Sequence, residues 1–141
     1  MYLENAKTIV IKIGSSILID ENKKIREKWL SEFSKDIKNL KKRGKNIILV
    51  SSGAIALGCK ALGLNKKNLK LEKSQAIASI GQIELMNLFE KKFNSRKINI
   101  SQILLTLEDT EKRRRAINAK RTFENLFNIG FVPIVNENDS I

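Results

Sequence analysis

The 141-residue sequence contains no histidine, one cysteine and one proline. Without histidine, these residues cannot form a Ser-His or Cys-His catalytic pair or a metal site with a His ligand. A single cysteine excludes a disulfide framework and a Cys/His zinc site. The longest apolar stretches are far shorter than the run of about 20 residues that a membrane helix needs. The first residues, MYLEN, do not resemble a signal peptide, and we expect a cytoplasmic protein.

Positive charge is in excess, with 27 Lys and Arg against 15 Asp and Glu and a net charge of +12. Such a balance first suggests nucleic acid as a partner. Most lysines are scattered in pairs, however, and neither stacking aromatics nor a nucleic-acid-binding motif accompanies them. We expect most of these lysines to be solvated surface. The denser arginine run keeps one alternative open, a basic nucleic-acid-binding module without catalysis that acts through residues 113–121.

Hydrophobic periodicity predicts four strands that alternate with helices. The strands are predicted at 8–13, 46–50, 98–106 and 131–135, and the helices at 25–43, 54–62, 73–93 and 108–129. Gly44 and Gly130 are expected to end two of the helices. Because the strands look apolar on both faces, the order predicts an α/β fold with a parallel sheet covered by helices. Ligands of such sheets bind beyond the carboxyl ends of the strands.

The apolar spacing also predicts which face of each long helix is buried. The predicted inner residues of helix 25–43 are Ile25, Trp29, Phe33, Ile37 and Leu40; those of helix 73–93 are Ala76, Ile80, Ile83, Met86 and Phe89; those of helix 108–129 are Ala116, Ala119, Phe123 and Leu126. With 42% hydrophobic residues, the chain can build a core. The length suits one ordinary domain.

Lys12 lies in a strand predicted to be buried on both faces, immediately before a Gly-Ser-Ser turn at 14–16. A buried ammonium group is costly unless an anion neutralises it. A phosphate held by the backbone N–H groups of the turn and by Lys12 would fit this position, although the spacing is not that of the Walker motif. The alternative is a lysine at a frayed strand end that reaches solvent.

The second strand runs into Ser51, Ser52 and Gly53, and a helix rich in small residues follows. Unpaired N–H groups and the positive end of the helix dipole would favour a bound carboxylate or phosphate there. A serine that simply caps the helix is the more common arrangement and remains the alternative. Cys59, inside this helix, is expected to be a buried apolar residue and not a catalytic thiol.

The fourth strand is followed by the short polar residues 136–139, NEND. They could bind an ammonium group or a magnesium-bound ligand, or they could form an Asx-rich turn. The arginines at 113–115, with Asn118 after them, suggest by themselves an exposed helix start.

Five segments carry a resemblance to a known family: 10–16 (VIKIGSS), 50–56 (VSSGAIA), 102–106 (QILLT), 113–119 (RRRAINA) and 132–139 (VPIVNEND). In this order and spacing they resemble the amino acid kinase family. The second and fifth segments favour the members that phosphorylate glutamate. The resemblance implies a three-layer α-β-α sandwich with a mainly parallel sheet, truncated in this chain.

The resemblance also implies a reaction, the transfer of the γ-phosphoryl group of ATP to the side-chain carboxylate of L-glutamate as the first step toward proline. Mg²⁺ would be brought with the nucleotide. The catalytic residue would be Lys12, and the phosphate would be bound by Lys12, Gly14 and Ser15. The residues implied to bind glutamate are Ser52, Gly53, Ala54, Asn136 and Asp139, and none is implied to bind a metal directly.

Members of the family continue for about as long again beyond the NEND segment, where most of their nucleotide pocket forms. The resemblance therefore implies that residues 1–141 are the N-terminal, glutamate-binding half of the domain and that the nucleotide-binding half is absent. We expect such a chain to be an incomplete copy that does not turn over alone. Its expected partners are glutamate and ATP, with a homo-oligomer or a complementing C-terminal half as further partners, and with neither membrane nor nucleic acid.

Overall fold

The computed structural model describes residues 2–65, 69–105 and 111–136. The strands are β1 (Thr8–Ile13), β2 (Asn46–Ser51), β3 (Asn99–Ile103) and β4 (Phe131–Asn136). The helices are α1 (Tyr2–Asn5), α2 (Ser15–Leu18), α3 (Glu27–Lys42), α4 (Ala54–Leu62), α5 (Leu71–Asn94) and α6 (Arg113–Asn128). The four strands pair in parallel, which confirms the predicted α/β class.

The predicted bounds differ from the observed ones in a few places. The third strand ends at Ile103 and not at residue 106, and Leu104 is exposed. The single-turn helices α1 and α2 were not predicted, because a four-residue helix is too short to show a periodic pattern. Part of the predicted helix 108–129 lies outside the described residues.

The strand order is β1-β2-β4-β3, so the last strand of the chain lies inside the sheet. The connections from β1 to β2 and from β2 to β3 run in one direction across the sheet, and the connection from β3 to β4 runs back. Since parallel crossovers are right-handed, α3, α4 and α5 belong on one face and α6 on the other. The described residues therefore form three layers, as expected.

The main core lies between the sheet and the face that carries α3 and α5. Alternate strand residues point into it, namely Ile9, Ile13, Ile47, Leu49, Val132 and Ile134. Phe33 of α3 and Phe93 of α5 have ring centroids 6.4 Å apart, and Trp29 stacks on Phe33 at 5.0 Å. Burying one such large side chain stabilises the fold by about 1.5–3 kcal/mol. This core holds α3 and α5 firmly against the sheet.

The opposite face of the sheet is covered less completely by the described residues. Pro133 and Val135 are buried there, on the side where α6 contacts β4. On β1, by contrast, Val10 is 61% exposed and Lys12 is exposed as well. The prediction that β1 is buried on both faces is therefore wrong. Burial of a second strand face depends on which element packs there, and the strand's own pattern does not contain that information.

The buried face of α3 agrees with the prediction. Ile37 is fully buried, and the partly buried Ile25, Trp29, Phe33 and Leu40 pack against the core. Gly44, at φ +78°, follows the helix end, as expected from the left-handed conformation that glycine adopts readily. The predicted inner residues of α6 are half-buried.

The buried face of α5 agrees with the prediction at Phe89 and Met86 and differs from it in the first half of the helix. Ala76, Ile80 and Ile83 are exposed, Ile83 to 68%. The observed buried residues are Ile77, Gly81, Leu85, Leu88, Phe89 and Phe93. The physical reason is that α5 packs on α4 through Ile77 and Gly81 and on the sheet through the residues that follow. A hydrophobicity pattern does not count a glycine as a buried position.

Lys41, near the end of α3, links two elements. Its Nζ donates a hydrogen bond of 2.5 Å to the carbonyl oxygen of Gly130, which follows α6. Burial, together with the nearby positive charge of Lys38, lowers the pKa of Lys41 below its usual value. The contact lies at the ends of α3 and α6, away from the residues predicted to form the site.

Candidate functional site at the carboxyl edge of the sheet

The carboxyl ends of three strands meet at one edge of the sheet. In the strand register, Ile13 of β1 lies opposite Ser51 of β2, and Ser51 lies opposite Asn136 of β4. The turn after β1, the turn after β2 and the end of β4 are therefore neighbours. The structure brings together all the predicted site residues that it describes, and Asp139 lies outside the described residues.

The turn after β1 is open. Gly14 has an extended backbone, with φ −76° and ψ 156°, and Ser15 begins the single turn of α2. Among the described residues, no heavy atom lies within 4 Å of the position that a Cβ on Gly14 would occupy. Lys12, two residues earlier, is exposed. Its ammonium group can therefore reach a ligand from solvent without the desolvation cost that a buried position would impose.

The turn after β2 is buried and tightly held. Ser51 is 1% exposed and Ser52 is 7% exposed. The Ser52 N–H donates to the carbonyl oxygen of Ile13 at 3.1 Å, and the Ser52 hydroxyl lies 3.4 Å from the same oxygen. The Ser51 hydroxyl donates to the Ser52 carbonyl oxygen at 3.1 Å. These bonds tie the second turn to the end of β1.

Gly53 is the N-cap residue of α4 and adopts φ +116°, a conformation that favours glycine. No side chain makes a cap hydrogen bond at this helix start within the described residues. The simple serine cap, the alternative that the sequence left open, is therefore not what is observed. The first N–H groups of a helix have no partner within the helix, and among the described residues no side chain caps those of α4, so they can bind an anion.

The two turns also touch each other. A Cβ on Gly53 would lie 3.7 Å from the Cβ of Ser15 and 3.7 Å from the Leu18 side chain. The N–H groups at the start of α4 are therefore close to the Gly14–Ser15 segment. A bound group at the start of α4 and a second group held near Lys12 would be neighbours, as two reacting molecules must be.

Asn136 completes the edge at the end of β4. Both polar atoms of its side-chain amide are buried, and neither has a hydrogen-bond partner among the described residues. An unpaired buried polar group costs about 1–3 kcal/mol. A buried polar group without a partner calls for an explanation, such as strain or a bound water, ion or ligand. The amide is therefore a candidate binding group beside Ser51.

The arginine run lies on the exposed side of α6. Arg113, Arg114 and Arg121 line an open hollow together with Ile117 and Asn118. The tight aromatic cluster of the chain packs between α3 and α5, in the main core, and so cannot stack on a base at α6. This arrangement does not favour the nucleic-acid alternative.

The described residues offer neither a cluster of metal ligands nor a helix that could span a membrane. Within the described ranges, no three His, Cys, Asp or Glu side chains lie close enough together to hold a metal ion. None of the helices in those ranges is both long and apolar enough to cross a bilayer. Cys59 is buried in α4, as predicted.

Sequence reasoning missed two structural contributors to the site. One is the Ile13 carbonyl oxygen, which accepts the bonds from Ser52. The other is Gly81 of α5, whose backbone packs directly on the first turn of α4. A backbone carbonyl leaves no signal in a sequence, whereas a glycine inside a long helix pattern is a signal of close packing.

Comparisons with known proteins agree with this geometry. The family model described as "Amino acid kinase family" matches residues 7–141. A glutamate 5-kinase of Pelagibacter ubique is 72% identical over 141 residues, and one of Ruegeria is 51% identical over 140 residues. The chain is covered to 100% and 99%, but it spans 38% of the length of each of these relatives. The match lies in their N-terminal portion.

A solved structure shares the fold. The isopentenyl phosphate kinase of T. acidophilum, crystallised as a product complex, superposes with a TM-score of 0.60 at 13% sequence identity. The superposition covers 95% of this chain and 58% of that chain. At this identity, the likeness supports the fold alone.

Proposed function

The chain belongs to the amino acid kinase family, and from this premise we propose that it forms the glutamate-binding part of a glutamate 5-kinase. The proposed reaction transfers the γ-phosphoryl group of ATP to the side-chain carboxylate of L-glutamate. A carboxylate oxygen attacks the γ-phosphorus, the bond to the β,γ-bridging oxygen breaks, and ADP leaves. The names of the two relatives, at 72% and 51% identity, support this choice within the family. Proline biosynthesis and a cytoplasmic location are part of the same proposal.

The observation that carries the proposal is the convergence of two different turns at one sheet edge. The turn after β2 offers buried serines and the N–H groups at the start of α4, which suit a carboxylate. The turn after β1 offers an exposed lysine, Lys12, and open space around Gly14, which suit a phosphate. In this assignment Ser52, Gly53 and Ala54 hold glutamate. The closeness of Gly53 to Ser15 supports a placement of the two reactants side by side.

Charge neutralisation is the main task at this edge, because both reactants are anionic. Phosphoryl transfer needs positioning and electrostatic stabilisation more than covalent participation. We assign Lys12 to the transferring phosphoryl group, with the N–H groups of Gly14 and Ser15 beside it. The exposed position of Lys12 at the end of β1 is consistent with that role, since an incoming nucleotide can reach it.

Asn136 is assigned to the amino-acid end of glutamate. Its two buried and unpaired amide atoms can donate to a carboxylate oxygen and accept from the α-ammonium group. Asp139, three residues later, is proposed to pair with the same ammonium group. A bound glutamate would remove the cost of leaving the Asn136 amide unpaired.

ATP is the second proposed substrate, and Mg²⁺ is proposed to arrive with it. The residues at the end of β1 fit a phosphate group, because they combine an ammonium group with open space. The described residues contain no cluster of acidic side chains that could hold the ion without the nucleotide. When bound, Mg²⁺ would neutralise phosphate charge.

The nucleotide-binding part is proposed to come from sequence outside these 141 residues. The support is that the chain spans 38% of the length of its relatives. In this proposal a complementing C-terminal half supplies the nucleotide-binding part. Assembly with further copies of the chain into a homo-oligomer is also proposed. The 141-residue chain alone is then expected to bind glutamate and to form no product.

A chimera tests the function directly. Residues 1–141 of this chain replace the matching part of the Pelagibacter ubique relative, and glutamyl phosphate is trapped as the hydroxamate. We expect ATP- and glutamate-dependent product from the chimera and none from the 141-residue chain alone. An inactive but folded chimera would contradict the proposed reaction. Product from the 141-residue chain alone would contradict the assignment of the nucleotide site to other sequence.

Glutamate binding is measured separately, by calorimetry on the 141-residue chain. We expect saturable binding of L-glutamate that is about 10- to 100-fold weaker in Ser52→Ala. The matched control is Ser95→Ala, at the end of α5, whose exposed hydroxyl donates to the nearby Lys92 carbonyl oxygen. Equal affinity of both variants would remove Ser52 from its assigned role.

A further inference from the structure

Helices α4 and α5 cross so closely that their backbones touch. A Cβ on Gly81 of α5 would overlap the carbonyl oxygen of Ala54 and would lie 2.5 Å from the backbone N of Gly58. On the other helix, a Cβ on Gly58 would overlap the carbonyl oxygen of Ile77 and would lie 2.6 Å from its Cγ2. Real contacts of this kind are essentially never shorter than 3.0 Å. The crossing therefore requires glycine at both positions.

The crossing point coincides with the first turn of α4. Ala54 is the first residue of that helix, and it directly follows the N-cap Gly53. On the opposite side, the N–H of Ser52 is bonded to the carbonyl oxygen of Ile13 at 3.1 Å. The segment that carries the N–H groups for a carboxylate is thus held between the end of β1 and the backbone of α5.

A side chain at position 81 would force the first turn of α4 and the facing part of α5 apart. Phe89 and Phe93 anchor α5 in the main core, where both are fully buried. Helix α4 has one fully buried residue in the main core, Leu57, which comes after the first residue of the helix. It also shares with α5 a smaller second cluster, made of Ile55, Cys59 and Ile77 with a few partly buried neighbours. The atom that a Cβ would meet is a backbone oxygen, so no change of rotamer relieves the overlap.

We propose that Gly81 is a positioning residue for glutamate binding, which acts through the first turn of α4. The absence of a side chain at 81 lets α5 press against Ala54 and so fixes the N–H groups of Gly53 and Ala54 relative to Ser15. This inference rests on the proposed function, because it assumes that those N–H groups hold the glutamate carboxylate. A displacement of about 1 Å in a binding group can cost about 100-fold in rate.

The test compares Gly81→Ala with two truncations on the same helix. Ile77→Ala removes a buried side chain that faces α4, and Leu88→Ala removes a buried side chain that faces the sheet. Both truncations leave a cavity, so both lower stability, but only the first loosens the crossing. Affinity for L-glutamate is measured by calorimetry on the 141-residue chain, at a temperature where circular dichroism shows each variant to be folded.

We expect Gly81→Ala to weaken glutamate binding at least about tenfold and Ile77→Ala to weaken it about threefold, while Leu88→Ala stays within about twofold of the original affinity. Amide NMR spectra of the ligand-free variants provide a second readout. The resonances of Gly53 and Ala54 should shift in Gly81→Ala and stay in place in Leu88→Ala. Shifted resonances without a loss of affinity would show that Gly81 only packs the two helices together.

Each outcome decides the proposal. Unchanged affinity in a folded Gly81→Ala variant overturns it. If Gly81→Ala does not fold, the comparison of Ile77→Ala with Leu88→Ala decides, and equal losses of affinity overturn the proposal. Absence of glutamate binding by the unmodified chain overturns the proposed function itself, and the inference that rests on it falls with it.

Discussion

The turns after β1 and β2 have nearly the same composition, Gly-Ser-Ser and Ser-Ser-Gly, and opposite environments. The first follows the exposed Lys12, and open space surrounds Gly14. The second is buried, is bonded to the Ile13 carbonyl oxygen, and ends in a glycine at φ +116°. Under the proposed function this difference corresponds to a division of tasks, in which the buried turn orients one reactant and the accessible turn admits the other.

The largest expected effect concerns Lys12, next to the accessible turn after β1. In the chimera, Lys12→Ala should lower kcat by about 100- to 1,000-fold, because one group that stabilises transition-state charge is lost. Thermal stability should be unchanged, since the Lys12 side chain is exposed. The control is Lys28→Ala, an exposed lysine of α3, which should keep full activity. A Lys12→Ala chimera with normal kcat in the hydroxamate assay would contradict the assignment.

The second prediction concerns the buried turn. Ser52→Ala should weaken glutamate binding by about 10- to 100-fold, because a hydrogen bond to a charged group is worth about 1.5–3 kcal/mol. Its effect on stability should be smaller, since the hydroxyl bond to the Ile13 carbonyl oxygen is long, at 3.4 Å. Calorimetry and thermal unfolding of the same sample separate the two effects. A loss of stability without loss of affinity would show that the serine only holds the turn together.

The third prediction tests whether the rigidity of the buried turn comes from the backbone. Gly53→Ala should lower the free energy of unfolding by about 1–2 kcal/mol, because only glycine adopts its conformation without strain. The space around Gly53 is adequate, with the nearest atoms at 3.7 Å, so the expected cost is conformational. Urea unfolding measures it. An unchanged midpoint of urea unfolding would mean that the turn adopts another backbone conformation without a cost in stability.

The smallest expected effect is that of the matched change in the other turn. Gly14→Ala should change the free energy of unfolding by less than about 0.5 kcal/mol, because its φ of −76° suits any residue. The surrounding space, as far as the structure describes it, accommodates the added methyl group. The same urea experiment provides the measurement. A decrease in the free energy of unfolding as large as that of Gly53→Ala would show that the two turns do not differ in backbone strain.

Helices α3 and α5 show how far sequence reasoning reaches. The apolar spacing of α3 predicted the buried Ile37 and its neighbours, because one face of that helix meets one core. The same reasoning placed Ile80 and Ile83 inside, where the structure exposes them. Helix α5 meets two partners, α4 and the sheet, and the contact with α4 is made by Gly81, which a hydrophobic pattern does not detect.

The candidate site shows the same limit. The residue types at the strand ends predicted a polar edge, with an anion site before α4 and a site for an ammonium group or a magnesium-bound ligand in the NEND run after β4. The individual site residues came from the family resemblance and stay predictions. Whether Ser52 caps the helix or bonds elsewhere could not be predicted. That choice depends on the Ile13 carbonyl oxygen, a group from a strand 39 residues away in the chain.

The sequence by itself determined the order of strands and helices, the parallel sheet and the edge at which polar residues collect. These follow from local periodicity and from the residues that end each strand, so they need no knowledge of distant contacts. Only the tertiary structure decided that β4 lies between β2 and β3, that Lys12 is exposed, and that α5 presses on the first turn of α4. Those features depend on which surfaces pack together, and the local sequence of one strand or helix does not specify which element packs against it.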